Sequence, residues 1–452
     1  MASKVRAVMP WYHGWNIVAV CIIVQAAGLG VMANCFSFFL EDWSRAFGVP
    51  VSTMVMAITL FSFPCAFLAP VAGWVAGRFS ISRTILVGMA VVSASYAAVG
   101  FATQAWHVIA VFALCLPIGI TFSSSIPAQS LVSRWFVRRR GLAFSLSAIG
   151  LVAAGVVYPP LVVRLMESLG WRWTWWIFAA FNLVVVCTLI AWVLRDFPRP
   201  DETAYGAHAP ENAADAASPQ MTLRKILSRR NFWITIAACL PPMMANSAMS
   251  VNLAPFVADR GLAMDEAATL LALFSVSAAV GKLSCGLLAD RYGNRVPLFL
   301  MAASSTIGLV LLALAHGSLA LGVAYVLLAL GQGAMVMAAS CIASEFGSHG
   351  FSRAYGFFNF SALIGTVPAP MVAYAAEVTH SYVPAVLILA GLCSAAMVAS
   401  LLFVARRADS VAPGTIGRSS ERPVDEGAAR FPPSTACAAL WPEPCAEDRV
   451  GR

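Results

Sequence analysis

Apolar residues fall in long blocks along this chain, and polar residues are confined between them. A block of about 20 residues crosses about 30 Å of hydrocarbon at 1.5 Å per residue. Blocks of that length lie near 15–40, 52–77, 84–103, 106–132, 141–166 and 173–194, then near 231–257, 267–289, 296–315, 318–342, 354–377 and 382–405. The pattern predicts an all-α membrane protein with twelve transmembrane helices, spans 1 to 12, in two halves, 1–195 and 231–405. The first block is too long for the apolar core of a cleavable signal, so it reads as span 1. Residues 196–230 predict a linker between the halves, opening on Pro198, Pro200, Asp201 and Glu202. Its end, Met221 to Leu227, predicts a short amphipathic helix on the inner leaflet. Residues 406–452 are rich in Pro, Ser, Gly, Arg and Glu and predict a disordered cytoplasmic tail.

Composition agrees with this pattern. The chain of 452 residues is 60% hydrophobic and 11% charged, where a soluble domain has roughly 25% charged residues. A net charge of +8 could suggest a nucleic-acid partner. The cations instead alternate with the spans. With the N-terminus inside, the inner loops and ends, leaving out the tail from Asp409 onward, hold 19 Lys and Arg and the outer loops 4. That bias predicts both termini in the cytoplasm and a location in the inner or plasma membrane. Most cysteines sit singly within apolar blocks, where a small hydrophobe is the expected role. No Cys/His spacing suits a metal, no loop suits ATP, and no cofactor is expected.

One residue breaks the apolar pattern. Lys282 is the only lysine inside a long apolar block, and an ammonium at bilayer depth costs about 2.5–3.5 kcal/mol on insertion scales. It stands eight residues before Asp290, about 12 Å along a helix, which puts it close to the midplane. That distance is long for a lysine to reach the interface by snorkelling. An anion site is the expectation. Asn34, Gln129, Asn246, Asn252, Gln332 and Asn359 also lie within or near spans, as cavity-lining groups or as interhelical glue. Ser123-Ser124-Ser125 reads as close helix packing. Tyr158-Pro159-Pro160 and Pro241-Pro242 predict helix breaks in spans 5 and 7.

The halves echo each other at an offset of 213 residues. Gly73-x3-Gly77-Arg78 follows span 2, and Gly286-x3-Asp290-Arg291-Tyr292-Gly293-Asn294-Arg295 follows span 8. Arg140 opens span 5 as Arg353 opens span 11. Such spacing implies two structurally related six-helix halves. The second loop resembles the signature of the major facilitator superfamily. The first copy departs from it, with Gly77 in place of the acid and Ser80 and Ser82 in place of glycine and a basic residue.

A narrower set is similar to the monocarboxylate transporters and the oxalate/formate antiporters. It comprises Tyr12-His13-Gly14-Trp15, Phe38-Phe39-Leu40-Glu41, Trp135-Phe136 with Arg138 to Ala143, Gly170-Trp171-Arg172, Lys282 to Leu287, and Ser344-Glu345-Phe346-Gly347. In those families span 8 carries a substrate-binding arginine four residues before the motif glycine. Lys282 holds that position here. Departures are also visible. Ala278 stands where animal monocarboxylate transporters have an aspartate implicated in proton coupling, and Ala33-Asn34 where they have a lysine. The oxalate carriers' second cation, in span 11, has only Asn359, Ser361 and Thr366 to match it.

The resemblance implies a secondary transporter of a small organic anion, a monocarboxylate first of all, working by alternating access as a monomer in the lipid bilayer. A proton or a counter-anion would be coupled. Substrate contact is expected from Lys282, Asn34, Asn246, Asn252, Gln332 and Asn359. Gating and packing roles are expected for Arg78, Gly286, Asp290, Arg291, Gly293, Arg295 and Glu345, with Glu345 pairing with Arg291. The competing readings are an exporter of amphipathic compounds, a dicarboxylate or formate-type exchanger, and a non-transporting membrane sensor. A membrane enzyme would need clustered His, Asp or Glu, and the six histidines are scattered.

Overall fold

Lipid leaves no solvent to satisfy a bare backbone, so each apolar block closes its hydrogen bonds internally as a helix. The computed structural model describes residues 12–136, 139–197, 222–260, 264–315 and 317–403. Among them are 11 helices long and apolar enough to cross a membrane. One of these, Arg140–Val193, has 54 residues and would be about 81 Å long if straight. It is two helices meeting at Gly170, where φ is 81° and ψ is 168°. Spans 5 and 6 are therefore 140–169 and 171–193, and the crossings among the described residues number twelve, six in each half. Spans 10 and 11, Ser318–Gly347 and Gly350–Thr379, likewise meet at a glycine corner, Gly347, with φ 62°.

The expected linker falls mostly on residues 198–221, outside the described residues, as does the whole of 406–452. The short helix at the linker's end is present as Leu223–Leu227. Its Ile226 is buried while Arg224 and Lys225 are exposed. The two predicted proline breaks do not occur. Helix continues through Pro159 and Pro160 in span 5 and through Pro241 and Pro242 in span 7. A proline pair removes two N–H groups, yet neighbouring turns hold the helix on course. Span 4 instead breaks at Ser124, with φ −91° and ψ −124°, span 10 at a 3₁₀ turn Gly331–Gly333, and span 11 at Ala362–Thr366.

The halves meet at the face where spans 2, 4, 6, 8 and 10 end, called here the basic face for its Arg134, Arg139, Arg140, Arg195, Arg291 and Arg295. Span 5 touches span 8 there through glycine. A Cβ added to Gly141 would lie 2.2 Å from the Gly286 carbonyl oxygen, and one on Gly286 would lie 2.3 Å from that of Gly141. Spans 2 and 11 repeat the contact. A Cβ on Gly73 would lie 2.3 Å from the Ser352 oxygen, and one on Gly356 would lie 3.0 Å from the Gly73 Cα. Only a residue without a side chain permits this backbone approach.

Polar contacts seal the same seam. Gly141 N and Leu142 N donate to the two oxygens of Asp290 at 2.7 and 2.9 Å. These are first-turn N–H groups of span 5, which have no partner within their own helix. A carboxylate from the opposite half thus caps the positive end of the helix. Ser145 Oγ donates to the Lys282 carbonyl at 2.7 Å. Arg140 reaches the carbonyls of Ser133 and, at 3.5 Å, Ala343 of span 10. Phe144 stacks on Phe351 at 5.7 Å.

The residues expected to gate separate into two groups. Gly286 and Asp290 lie in the seam, and Gly293, with φ 77°, turns the loop behind them. Arg78 lies over the Trp74 ring and Arg291 over the Tyr292 ring, both exposed, and Arg295 is exposed too. Glu345 does not pair with Arg291. It accepts from Asn231 Nδ2 at 2.7 Å, within its own half, because span 7 begins beside the end of span 10.

Gly141→Ala should part the halves at the basic face. Alanine gains up to about 1 kcal/mol of helix propensity, but the overlap at the seam should cost about 1–3 kcal/mol. Spin labels at positions 79 and 292 should report a longer distance in Gly141→Ala or Gly286→Ala, and an unchanged distribution in both would contradict the seam. Asp290→Asn should weaken the cap by about 1 kcal/mol, lengthening the same distance. Glu345→Gln should alter neither, since its bond stays within one half. A latch dependent on Glu345 would appear as equal effects of the two substitutions.

Candidate functional site

Above the seam lies a cavity of about 400 Å³ between the halves, walled by spans 1, 4 and 5 on one side and 7, 8, 10 and 11 on the other. Irregular backbone opens it. Span 1 widens to a π-helical turn at Ala26–Gly30, just after Gln25. The break at Ser124 places Ser125 and Gln129 on the wall, and the 3₁₀ turn at Gly331–Gly333 places Gln332 there. Spans 4 and 10 are equivalent in the two halves, so both halves interrupt the same helix at cavity height.

Lys282 lies on the wall. Its helix is held hard against span 10, since a Cβ on Gly281 would lie 2.6 Å from the Leu330 oxygen. Its carbonyl is engaged by Ser145 across the seam. Among the described residues its ammonium makes no hydrogen bond and no ion pair. Among the described residues no Asp or Glu lines the cavity. A cation with three donors therefore faces the space without a counter-charge. Leu29, Ala148, Leu151, Met243, Met335 and Val336 supply the apolar wall around it.

Of the residues expected to touch substrate, Lys282, Asn246, Gln332 and Asn359 come together on this wall. Asn34 and Asn252 do not. Asn34 Nδ2 donates to the Gly30 carbonyl at 2.8 Å and its oxygen lies against Gly155. Asn252 is 4% exposed and donates to the carbonyls of Ala248 and Ala369, which ties span 7 to span 11. Both serve helix packing, the role that polar side chains commonly play between membrane helices. Conversely, Ser125, read from sequence as packing, lines the cavity.

Gln25, Ser247, Ser250 and Tyr355 also line the cavity and went unrecognised in the sequence. Gln25 sits within an apolar run just as Asn34 does, so it carried the same signal. Tyr355 had no signal of its own. It is buried and lies beside Ser125 of the other half and Asn359. It also stacks on Phe351 at 5.2 Å, so the cavity floor and the Phe144–Phe351 contact are one aromatic column. Among the described residues no three of His, Cys, Asp and Glu gather as a metal would require.

Comparison with known proteins places this architecture. The sequence profile of the Major Facilitator Superfamily matches residues 18–370 and again 243–442. Monocarboxylate transporter 12 of Rattus norvegicus is 25% identical over 416 residues, covering 86% of this chain and 84% of the rat protein. The agnestins efflux protein AgnL12 of Paecilomyces divaricatus is 26% identical over 298 residues, 63% of this chain and 65% of that protein. Among solved structures, the human organic anion transporter MFSD10 superposes with a TM-score of 0.66 at 13% identity, covering 86% of this chain and 99% of that one. The E. coli fucose:proton symporter FucP gives 0.62 at 14% identity, covering 87% and 99%. With twelve crossings in two related halves around a central cavity, and a family profile running through both, the chain belongs to the Major Facilitator Superfamily of membrane transporters.

Proposed function

We propose that this transporter moves a small organic anion, a monocarboxylate, across the inner or plasma membrane by alternating access. The observation that carries the reading is the unpaired Lys282 ammonium in a cavity free of carboxylates. One cation without an acid selects a single negative charge. Two unit charges at 4 Å attract by about 4 kcal/mol at an effective dielectric near 20. Desolvating the incoming carboxylate takes back part of that gain. Similarity to a protein named as a monocarboxylate transporter supports the same substrate class.

The bias of cations toward one face supports placing that face, and both termini, in the cytoplasm. The arrangement described above is then outward-facing, closed on the cytoplasmic side by the glycine seam and the Asp290 cap. Halves 1–195 and 231–405 would rock about the cavity as a monomer, joined by the linker 196–230. Gradient energy would enter through a coupled proton or a counter-anion.

Reconstitution into proteoliposomes tests this reading. Labelled lactate, pyruvate and oxalate should divide in favour of the singly charged acids. Lys282→Gln and Lys282→Ala should both abolish anion uptake with membrane insertion intact. Lys282→Arg should retain part of it, since a guanidinium keeps the charge but changes the geometry. Near-normal carboxylate affinity in Lys282→Gln would overturn the reading in favour of a neutral or cationic substrate.

A further inference from the structure

Two buried oxygens on the cavity-lining residues have no hydrogen-bond partner, Gln129 Oε1 and Asn246 Oδ1. Both residues are almost fully enclosed, 3% and 5% exposed. Their neighbours settle which end of each amide is the acceptor. Ser147 Oγ donates its one proton to the Phe144 carbonyl at 2.9 Å. In that arrangement it accepts from Gln129, whose amide nitrogen lies 3.0 Å away. The Gln129 oxygen is left over. Asn246 has its nitrogen 2.8 Å from the Pro242 carbonyl, which can only accept. Flipping Asn246 would set two acceptors against each other, and flipping Gln129 would require the Ser147 hydroxyl to give up the Phe144 carbonyl.

A buried acceptor without a donor is a standing cost, and native interiors seldom leave one without a reason. Here two fall on opposite walls of one cavity, Gln129 on span 4 and Asn246 on span 7. Nearby groups offer little relief. Gln25 gives one of its two N–H groups to the Ser147 carbonyl at 2.5 Å, Asn359 one of its two to the Tyr355 carbonyl at 2.8 Å, and Ser250 its hydroxyl to the Ser247 carbonyl at 3.1 Å, and none of them bonds either oxygen. The wall thus combines one unpaired ammonium with amide oxygens short of donors.

We infer that the transported acid carries, besides its single carboxylate, an uncharged hydrogen-bond donor, a hydroxyl or an N–H, that is received by Asn246 or Gln129. This rests on the anion reading of Lys282 and narrows it. A cavity of about 400 Å³ leaves room for a body larger than a three-carbon acid. A site built around polar groups rejects an analogue lacking the matching donor far more strongly than an apolar pocket rejects a missing methylene.

Matched pairs of acids test the inference by ligand-induced thermal stabilisation of the purified full chain. The probes are butyrate against 3- and 4-hydroxybutyrate, and 3-phenylpropionate against 3-phenyllactate and 3-(4-hydroxyphenyl)propionate. At least one hydroxylated acid should bind about ten-fold more tightly than its parent. That ratio should fall toward one in Asn246→Leu or in Gln129→Met, two substitutions on different helices, so that one misfolded variant leaves the other to decide. Parent acids that bind in a Lys282-dependent manner with no pair discriminating would overturn this inference and leave the anion reading standing. A hydroxyl preference that persists in both variants would also overturn it. Failure of every acid to bind would remove the anion reading and this inference together.

Discussion

The structure depends on two helices touching without side chains between them. At the Gly141–Gly286 contact the backbones of spans 5 and 8 approach closely enough that any Cβ would overlap a carbonyl oxygen. That proximity is what lets Asp290 reach the first N–H groups of span 5. It also lets Ser145 reach the Lys282 carbonyl. A wider spacing would leave the helix end uncapped and the carboxylate without its donors. Steric closeness and electrostatics therefore act together at one place, and it is the place where the proposed rocking of the halves would open the basic face.

The seam and the cavity are mechanically continuous. Lys282 belongs to the helix whose next turn carries Gly286, and its carbonyl is held across the halves. Tyr355 forms part of the cavity floor and stacks on Phe351, which in turn stacks on Phe144 of the other half. An occupant that moves span 8 or Tyr355 thus acts directly on the contacts that keep the basic face shut. The pseudo-symmetric seam, Gly73 with Gly356, lacks the equivalent of the Asp290 cap, because Gly77 stands where the second motif has Asp290. The two seams are alike in packing and unlike in charge, so the span 5–span 8 side has the additional hold.

Much of the fold was legible because lipid is an undemanding solvent to read. It requires apolar length, and the blocks supplied it, with a 213-residue echo dividing them into halves. The breaks were misread at the proline pairs, since a proline removes only its own N–H and a packed helix can carry straight through. The corner at Gly170 falls in the gap between the fifth and sixth blocks, whereas the interruptions at Ser124 and Gly331–Gly333 lie inside apolar blocks and follow from packing, which no local pattern announced. Among site residues, Lys282 stood out because its charge has no bland use at that depth. The amides did not sort themselves. Asn34 and Asn246 both bond the carbonyl four residues earlier, and only the facing of their helices puts one on the cavity and the other against Gly155. Helix rotation is a tertiary property, so the polar signal of Gln25 did not say which way it faces, and Tyr355 had no signal at all.

The central claim is that the Lys282 ammonium is free in the cavity until an anion meets it. The chain has three lysines, Lys4, Lys225 and Lys282, so amine modification followed by peptide mass spectrometry can follow each one. Carboxylates should slow the modification of Lys282 in a concentration-dependent way and leave exposed Lys225 unaffected, while the corresponding neutral amides should protect neither. Equal protection of Lys282 by acid and amide, or no protection by any carboxylate, would contradict the account.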